Sequence, residues 1–224
     1  MRLLVATAAA LVLAGCGSKP SPAPEPARAT PPASQPAPPA DNRPLIVAFG
    51  DSLTAGFGAD PGKSYPDFLQ QDLDRAHLAY RVVNAGISGE TTTDALARLN
   101  TVIALKPDVV IVEFGGNDGL RGLPVTTTRA NLDQIIGALL AAGARVLLAG
   151  MTLPPNYGPD YIAAFQRVYT DLSAKRKVPL IPFLLSGVAG TSRMQRDGLH
   201  PTAEGNRLVA VTVMRYLRPM LRPG

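Results

Sequence analysis

From Leu45 onward, short and almost purely apolar runs alternate with longer amphipathic ones, and few folds accommodate that pattern. Leu45–Phe49, Tyr80–Asn84, Asp108–Phe114, Arg145–Gly150 and Val178–Phe183 read as strands. "VVIVEF" and "VLLA" within them are nearly continuous, as in strands covered on both faces. Helical patterns lie between. Leu132, Ile135, Ile136, Leu139 and Leu140 form one stripe of a helix. Thr91–Leu105 and Asp160–Lys175 read similarly, and a last helix runs from Ala203 to Leu217. Strand–helix alternation predicts a parallel sheet with helices on both faces.

In such a sheet a ligand site forms at the carboxyl ends of the strands. Three loops there are rich in glycine and short polar residues: "GDSLTAG" (Gly50–Gly56), "AGISGETT" (Ala85–Thr92) and "GGNDGLRG" (Gly115–Gly122). A backbone that approaches a ligand closely, or holds donors in place, needs that composition. Turning alone can also account for any one such loop. Three at one edge are stronger evidence.

The first fifteen residues, "MRLLVATAAALVLAG", place one arginine before an apolar stretch too short to span a bilayer, which fits a secretory signal. It ends in "LAGC", with the chain's only cysteine, Cys16. This resembles the lipobox of bacterial lipoproteins and implies lipidation at Cys16, hence attachment to a membrane of the cell envelope; Gly17 and Ser18 resemble outer-membrane cargo, on its periplasmic side or surface. A plain signal peptide beside a free cysteine is the alternative. Residues 16–44 then form the lipidated cysteine and a tether: Ser18–Pro44 holds ten prolines and no large apolar residue. Extended at about 3.1 Å per residue, it reaches roughly 80 Å. Residues 45–224 are the one globular domain, long enough for a sizeable core.

The net charge of +5 includes no run of basic residues, so no nucleic-acid partner is expected. Arg207, Arg215, Arg218 and Arg222 gather near the C-terminus, where they could face an anionic membrane. A lone cysteine and two histidines exclude an internal disulfide and disfavour a Cys- or His-rich metal site. "GADPGKS" (Gly58–Ser64) has three residues where a phosphate-binding P-loop needs four. G-x-S-x-G, the nucleophile elbow, is absent.

A reactive serine needs a base. His77, in "DRAHLAY", sits late in a charged helix pattern and reads as a surface residue. His200, in "RDGLHPTAEG", follows Asp197 by three residues with Gly198 between. Such a turn can bring the carboxylate onto one ring nitrogen and leave the other for a serine. The same loop can instead be a helix N-cap, made by an Asp or by Thr202. The local pattern does not choose between them.

Gly-Asp-Ser-Leu near the start, the glycine of "NAGISG", Gly-x-Asn-Asp in the middle and Asp-x-x-His near the end resemble, in order, the SGNH or GDSL hydrolase family. "VEFGGNDGLRG" and "LPPNYGPDY" bring the chain closer to its bacterial thioesterase I, lysophospholipase and arylesterase branch. The resemblance covers essentially 45–220. It implies a three-layer α/β/α sandwich around a five-stranded parallel sheet, the flavodoxin-like SGNH hydrolase fold. It implies Ser52 as nucleophile, His200 as base and Asp197 as the residue that orients it. The implied oxyanion hole is the N–H groups of Ser52 and Gly86 with the side-chain amide of Asn117; Asn84 and Asp118 shape the loops.

The activity implied is hydrolysis of a small-molecule or lipid acyl ester or thioester by a monomer without metal or organic cofactor. Acyl selectivity is expected from "MTLPPNYGPDY" (Met151–Tyr161), with Pro154, Pro155, Asn156 and Tyr157 lining or covering a groove; loop stiffening explains the prolines equally well. The rival activities are removal of acetyl groups from glycans and a catalytically idle binding module. A lipid anchor, which the soluble periplasmic enzymes of that branch do not resemble, favours a substrate near a membrane.

Overall fold

A computed structural model describes residues 41–222. The expected signal segment, Cys16 and the tether as far as Ala40 lie outside the described residues.

Five parallel strands form one sheet: β1 (Leu45–Gly50), β2 (Arg81–Gly86), β3 (Val109–Glu113), β4 (Arg145–Ala149) and β5 (Leu180–Ile181), in the order β2-β1-β3-β4-β5. The alternation of apolar runs thus yields the expected sandwich. Every residue of β1 and β3 is buried, as continuous runs such as "VVIVE" require. β5 is shorter than the expected Val178–Phe183. Pro179 and Pro182 bracket it, and neither has an N–H to extend the ladder. Its contribution is made through carbonyls, with Leu148 N–H donating to Pro179 O and Gly150 N–H to Ile181 O.

On one face α2 (Tyr65–Arg75) packs against α7 (Ala203–Leu217). On the other, α5 (Val125–Ala141) packs between α3 (Thr92–Ala104) and α6 (Pro159–Arg176). Ser64 and Thr91 cap α2 and α3 with reciprocal capping boxes to Asp67 and Asp94. The stripe Leu132, Ile135, Ile136 and Leu139 is fully buried. The chain order reverses at β1, between β2 and β3, so the crevice above β1 and β3 is where an open sheet of this kind binds ligands.

Two of the glycine-rich segments are more ordered than loops. Ser52–Ala55 forms the one-turn helix α1, and Gly116–Leu120 forms α4. Asp51 caps α1 by accepting from Leu53 N–H, and Gly56 closes it with φ of 78°. Gly115, with φ of 111°, turns β3 into α4, and a β-carbon there would lie 2.3 Å from the Tyr169 hydroxyl.

Candidate active site

Ser52 is the first residue of α1, at the carboxyl end of β1. His200 lies in a loop closed by the isolated bridge Met194↔Pro201 and by Gln195 N–H donating to His200 O at 2.7 Å. Folding brings the two together: His200 Nε2 lies 2.9 Å from Ser52 Oγ. His200 Nδ1 lies 2.7 Å from Asp197 Oδ2. Asp197 Oδ1 accepts from the backbone N–H groups of Leu199 and His200, at 2.9 and 3.0 Å. These bonds to the imidazole and backbone hold the Asp197 carboxyl at about 2. Gly198 turns the segment with φ of 70°. Capping α7 falls to Thr202, whose hydroxyl accepts from Gly205 N–H, so Asp197 and Thr202 divide the two roles that the sequence left open. His77 is exposed, just past the end of α2.

The expected oxyanion donors are engaged to different degrees. Ser52 N–H makes no hydrogen bond among the described residues. Gly86 N–H donates to Asn84 Oδ1 at 2.9 Å, while the Asn84 amide donates to Thr54 O. Asn117 Nδ2 donates to Asp51 Oδ2 at 3.0 Å and to Glu90 O at 2.9 Å. An oxygen developing charge at Ser52 must share the Gly86 and Asn117 hydrogens with these resting acceptors. Asp118 shapes the third loop, accepting from Thr92 N–H and from the hydroxyls of Thr92 and Thr128.

A cavity of about 450 Å³ opens from Ser52, Asn117 and His200 onto an apolar wall that includes Leu120, Met151, Leu153 and Phe183. Of the four residues singled out in this loop, Pro154 and Pro155 line the cavity and Asn156 and Tyr157 do not. A 3₁₀ turn at Pro155–Tyr157 directs the Tyr157 hydroxyl to Leu120 O at 2.7 Å, and Tyr161 donates likewise to Leu123 O. The tyrosines pin the loop, and Met151 to Pro155 before them face the cavity. Phe57, exposed, packs its ring 4.7 Å from that of His200.

Three residues beneath the site escaped the sequence reading. Arg98 donates to Gly50 O and Ala85 O, pairs with Glu90 and lies over the rings of Phe49 and Phe114, tying three strand ends together. Asp51 and Glu113 are buried carboxyls. Burial pushes Asp51 up to about 6 and Glu113 well above the usual carboxylate range. A single acid inside "VVIVEF" was a visible signal for Glu113. No group of three or more His, Cys, Asp or Glu side chains among the described residues could hold a metal ion.

The profile of the GDSL-like Lipase/Acylhydrolase family matches residues 48–208. Esterase TesA of Pseudomonas aeruginosa is 44% identical over 178 residues, 79% of this chain and 89% of its own. Thioesterase 1/protease 1/lysophospholipase L1 of Escherichia coli is 38% identical over 178 residues, 79% of this chain and 84% of its own. The crystal structure of TesA superposes with a TM-score of 0.77 at 44% identity, covering 80% of this chain and all of that one.

Proposed function

The chain belongs to the GDSL-like lipase/acylhydrolase family, and on that premise we propose that Ser52 is the nucleophile of its ester hydrolysis. The protein is a carboxylic ester hydrolase of the serine-esterase type, related to enzymes named as esterase, arylesterase and thioesterase. The observation that carries the assignment is the unbroken chain from Ser52 Oγ through His200 to Asp197, at 2.9 and 2.7 Å, at the mouth of an apolar cavity.

His200 Nε2 takes the hydroxyl proton as Ser52 attacks the acyl carbonyl. Asp197, accepting from Nδ1–H, fixes the tautomer and stabilises the imidazolium. Charge on the carbonyl oxygen is met by Ser52 N–H and by the Gly86 N–H and Asn117 amide hydrogens, which it shares with their resting acceptors. One such donor is worth about 2.7–4 kcal/mol. His200 then protonates the departing alcohol or thiol, and water, deprotonated by the same imidazole, releases the acid from the acyl-enzyme. The cavity supports an acyl group longer than acetyl, which disfavours glycan deacetylation.

Rates on p-nitrophenyl esters from acetyl to palmitoyl, with acyl-CoA and lysophospholipid alongside, test this. Wild type should cleave them and Ser52→Ala should not; full activity in Ser52→Ala would refute the assignment.

Lipidation at Cys16 is proposed from "LAGC" at the end of the apolar leader, and with it a place on an envelope membrane. No described helix is long and apolar enough to cross a membrane. Cys16→Ser should move the protein from the membrane fraction to the soluble one, and unchanged sedimentation would count against the anchor.

A further inference from the structure

Glu113 closes β3 in register with Gly50 of β1, directly beneath the turn that carries Ser52. Its side chain has no exposure to solvent. A lone carboxylate in such a place is costly unless paired. Arg98, whose guanidinium also reaches the end of β1, pairs with Glu90 instead. Glu113 Oε2 accepts from Thr54 Oγ1 at 2.8 Å and from Asp51 N–H at 3.3 Å. Oε1 is equally buried and has no hydrogen-bond donor among the described residues. An acceptor without a donor in a dry site is satisfied when it carries a proton and donates.

Asp51 adjoins Glu113, its backbone N–H donating to Oε2, and burial raises both carboxyls. Asp51 Oδ1 already accepts from Leu53 N–H and Oδ2 from Asn117 Nδ2. Two carboxyls sharing one dry site do not both ionise, so the pair holds one proton and one negative charge. Asp51, with two amide donors, is the better place for the charge. Other groups face the pair. Tyr65 of α2 bonds Thr54, Arg98 of α3 is engaged by Glu90, and the Tyr169 hydroxyl of α6 donates to Phe114 O. His200, when charged, favours ionised Asp51.

Resting on the serine-esterase reading above, we propose that Glu113 is a positioning residue: as a neutral acid it donates to the Asp51 carboxylate, and Asp51, so fixed, holds the Asn117 amide beside Ser52. Asn117 acts on charge that exists only in the transition state. Loss of Glu113 therefore lowers kcat and leaves KM nearly unchanged.

Two variants and one spectrum test this. Glu113→Gln keeps an acceptor for Thr54 and an N–H donor for Asp51, so kcat should stay near wild type. Glu113→Leu removes both and should lower kcat about a hundredfold, the scale of a lost oxyanion donor. In neutral solution the infrared spectrum of the wild-type protein should contain the carbonyl band of a protonated carboxyl, absent from Glu113→Gln. A folded Glu113→Leu with wild-type kcat overturns the proposal. So does a folded Glu113→Gln as impaired as Glu113→Leu, or the absence of the band. If Glu113→Leu does not fold, the glutamine variant and the band still decide. A wild type that cleaves no ester would sink the esterase reading instead, and the band would still report on the proton.

Discussion

A serine hydroxyl is a weak nucleophile, and the proposed mechanism gives Ser52 three kinds of help: an imidazole to take its proton, a carboxylate to orient the imidazole and donors for the developing charge. Asp197 is half in solvent, yet it accepts from the His200 ring and from two backbone N–H groups. Replacing it with Asn keeps the shape and allows the wrong tautomer; kcat should fall by about 10⁴-fold, measured on a p-nitrophenyl ester. The same bonds have a signature in stability. The folded Asp197 carboxyl, at about 2, lies below its ordinary 3.8, so its contribution is present above that ordinary value and is lost as pH falls through 2. The melting temperatures of wild type and Asp197→Asn should therefore differ above about pH 4 and converge towards pH 2. Parallel curves across that range would show that the hydrogen bonds do not bias the carboxyl.

At the scale of elements, the site depends on how tightly short pieces meet. Gly86, ending β2, lies against α1 so closely that a β-carbon would come 2.2 Å from Ala55 N and 2.7 Å from Thr54 C. Backbone cannot yield as a flexible side chain does, so Gly86→Ala must displace the helix that begins with Ser52. We expect a loss of about 1–3 kcal/mol in chemical denaturation together with a fall in kcat/KM. Thr202 offers a contrast. Its hydroxyl caps α7 and donates to Arg193 O, but touches neither Ser52 nor His200. Thr202→Ala should cost about 1 kcal/mol, lowering the melting temperature by roughly 2–4 °C, with kcat close to wild type. A collapse of kcat in that variant would mean that the cap also fixes the His200 loop.

Taken as a whole, the molecule stacks its chemistry above β1 and β3, where the strand order reverses, and sets an apolar cavity beside it. Ala189, on that cavity's wall, gives a means of altering its length. Ala189→Phe should move the preferred acyl chain towards shorter esters while the acetyl ester keeps its wild-type rate; an unchanged chain-length profile would place acyl binding elsewhere. Much of this architecture was legible in the sequence. Continuous apolar runs specified buried strands and the period of α5 specified its buried stripe, because burial is recorded residue by residue along the chain. Ser52, Asp197 and His200 were not singled out by any one local motif; the four blocks taken in order pointed to them. The short β5, bracketed by prolines, shows where an apolar run overstates a strand. Partners distant in the chain were not legible. Glu113 reads as an anomaly in a strand until Asp51 and Thr54 are seen against it, and Tyr157 reads as a groove residue until its hydroxyl is found on Leu120 O. The sequence by itself determined the layers, the strands and the residues with reactive side chains, since these follow from periodicity and residue type. Only the tertiary structure decided which donors are free, which are already bonded and which carboxyls share a dry site, because hydrogen bonds and desolvation depend on distances between residues that the linear order leaves far apart.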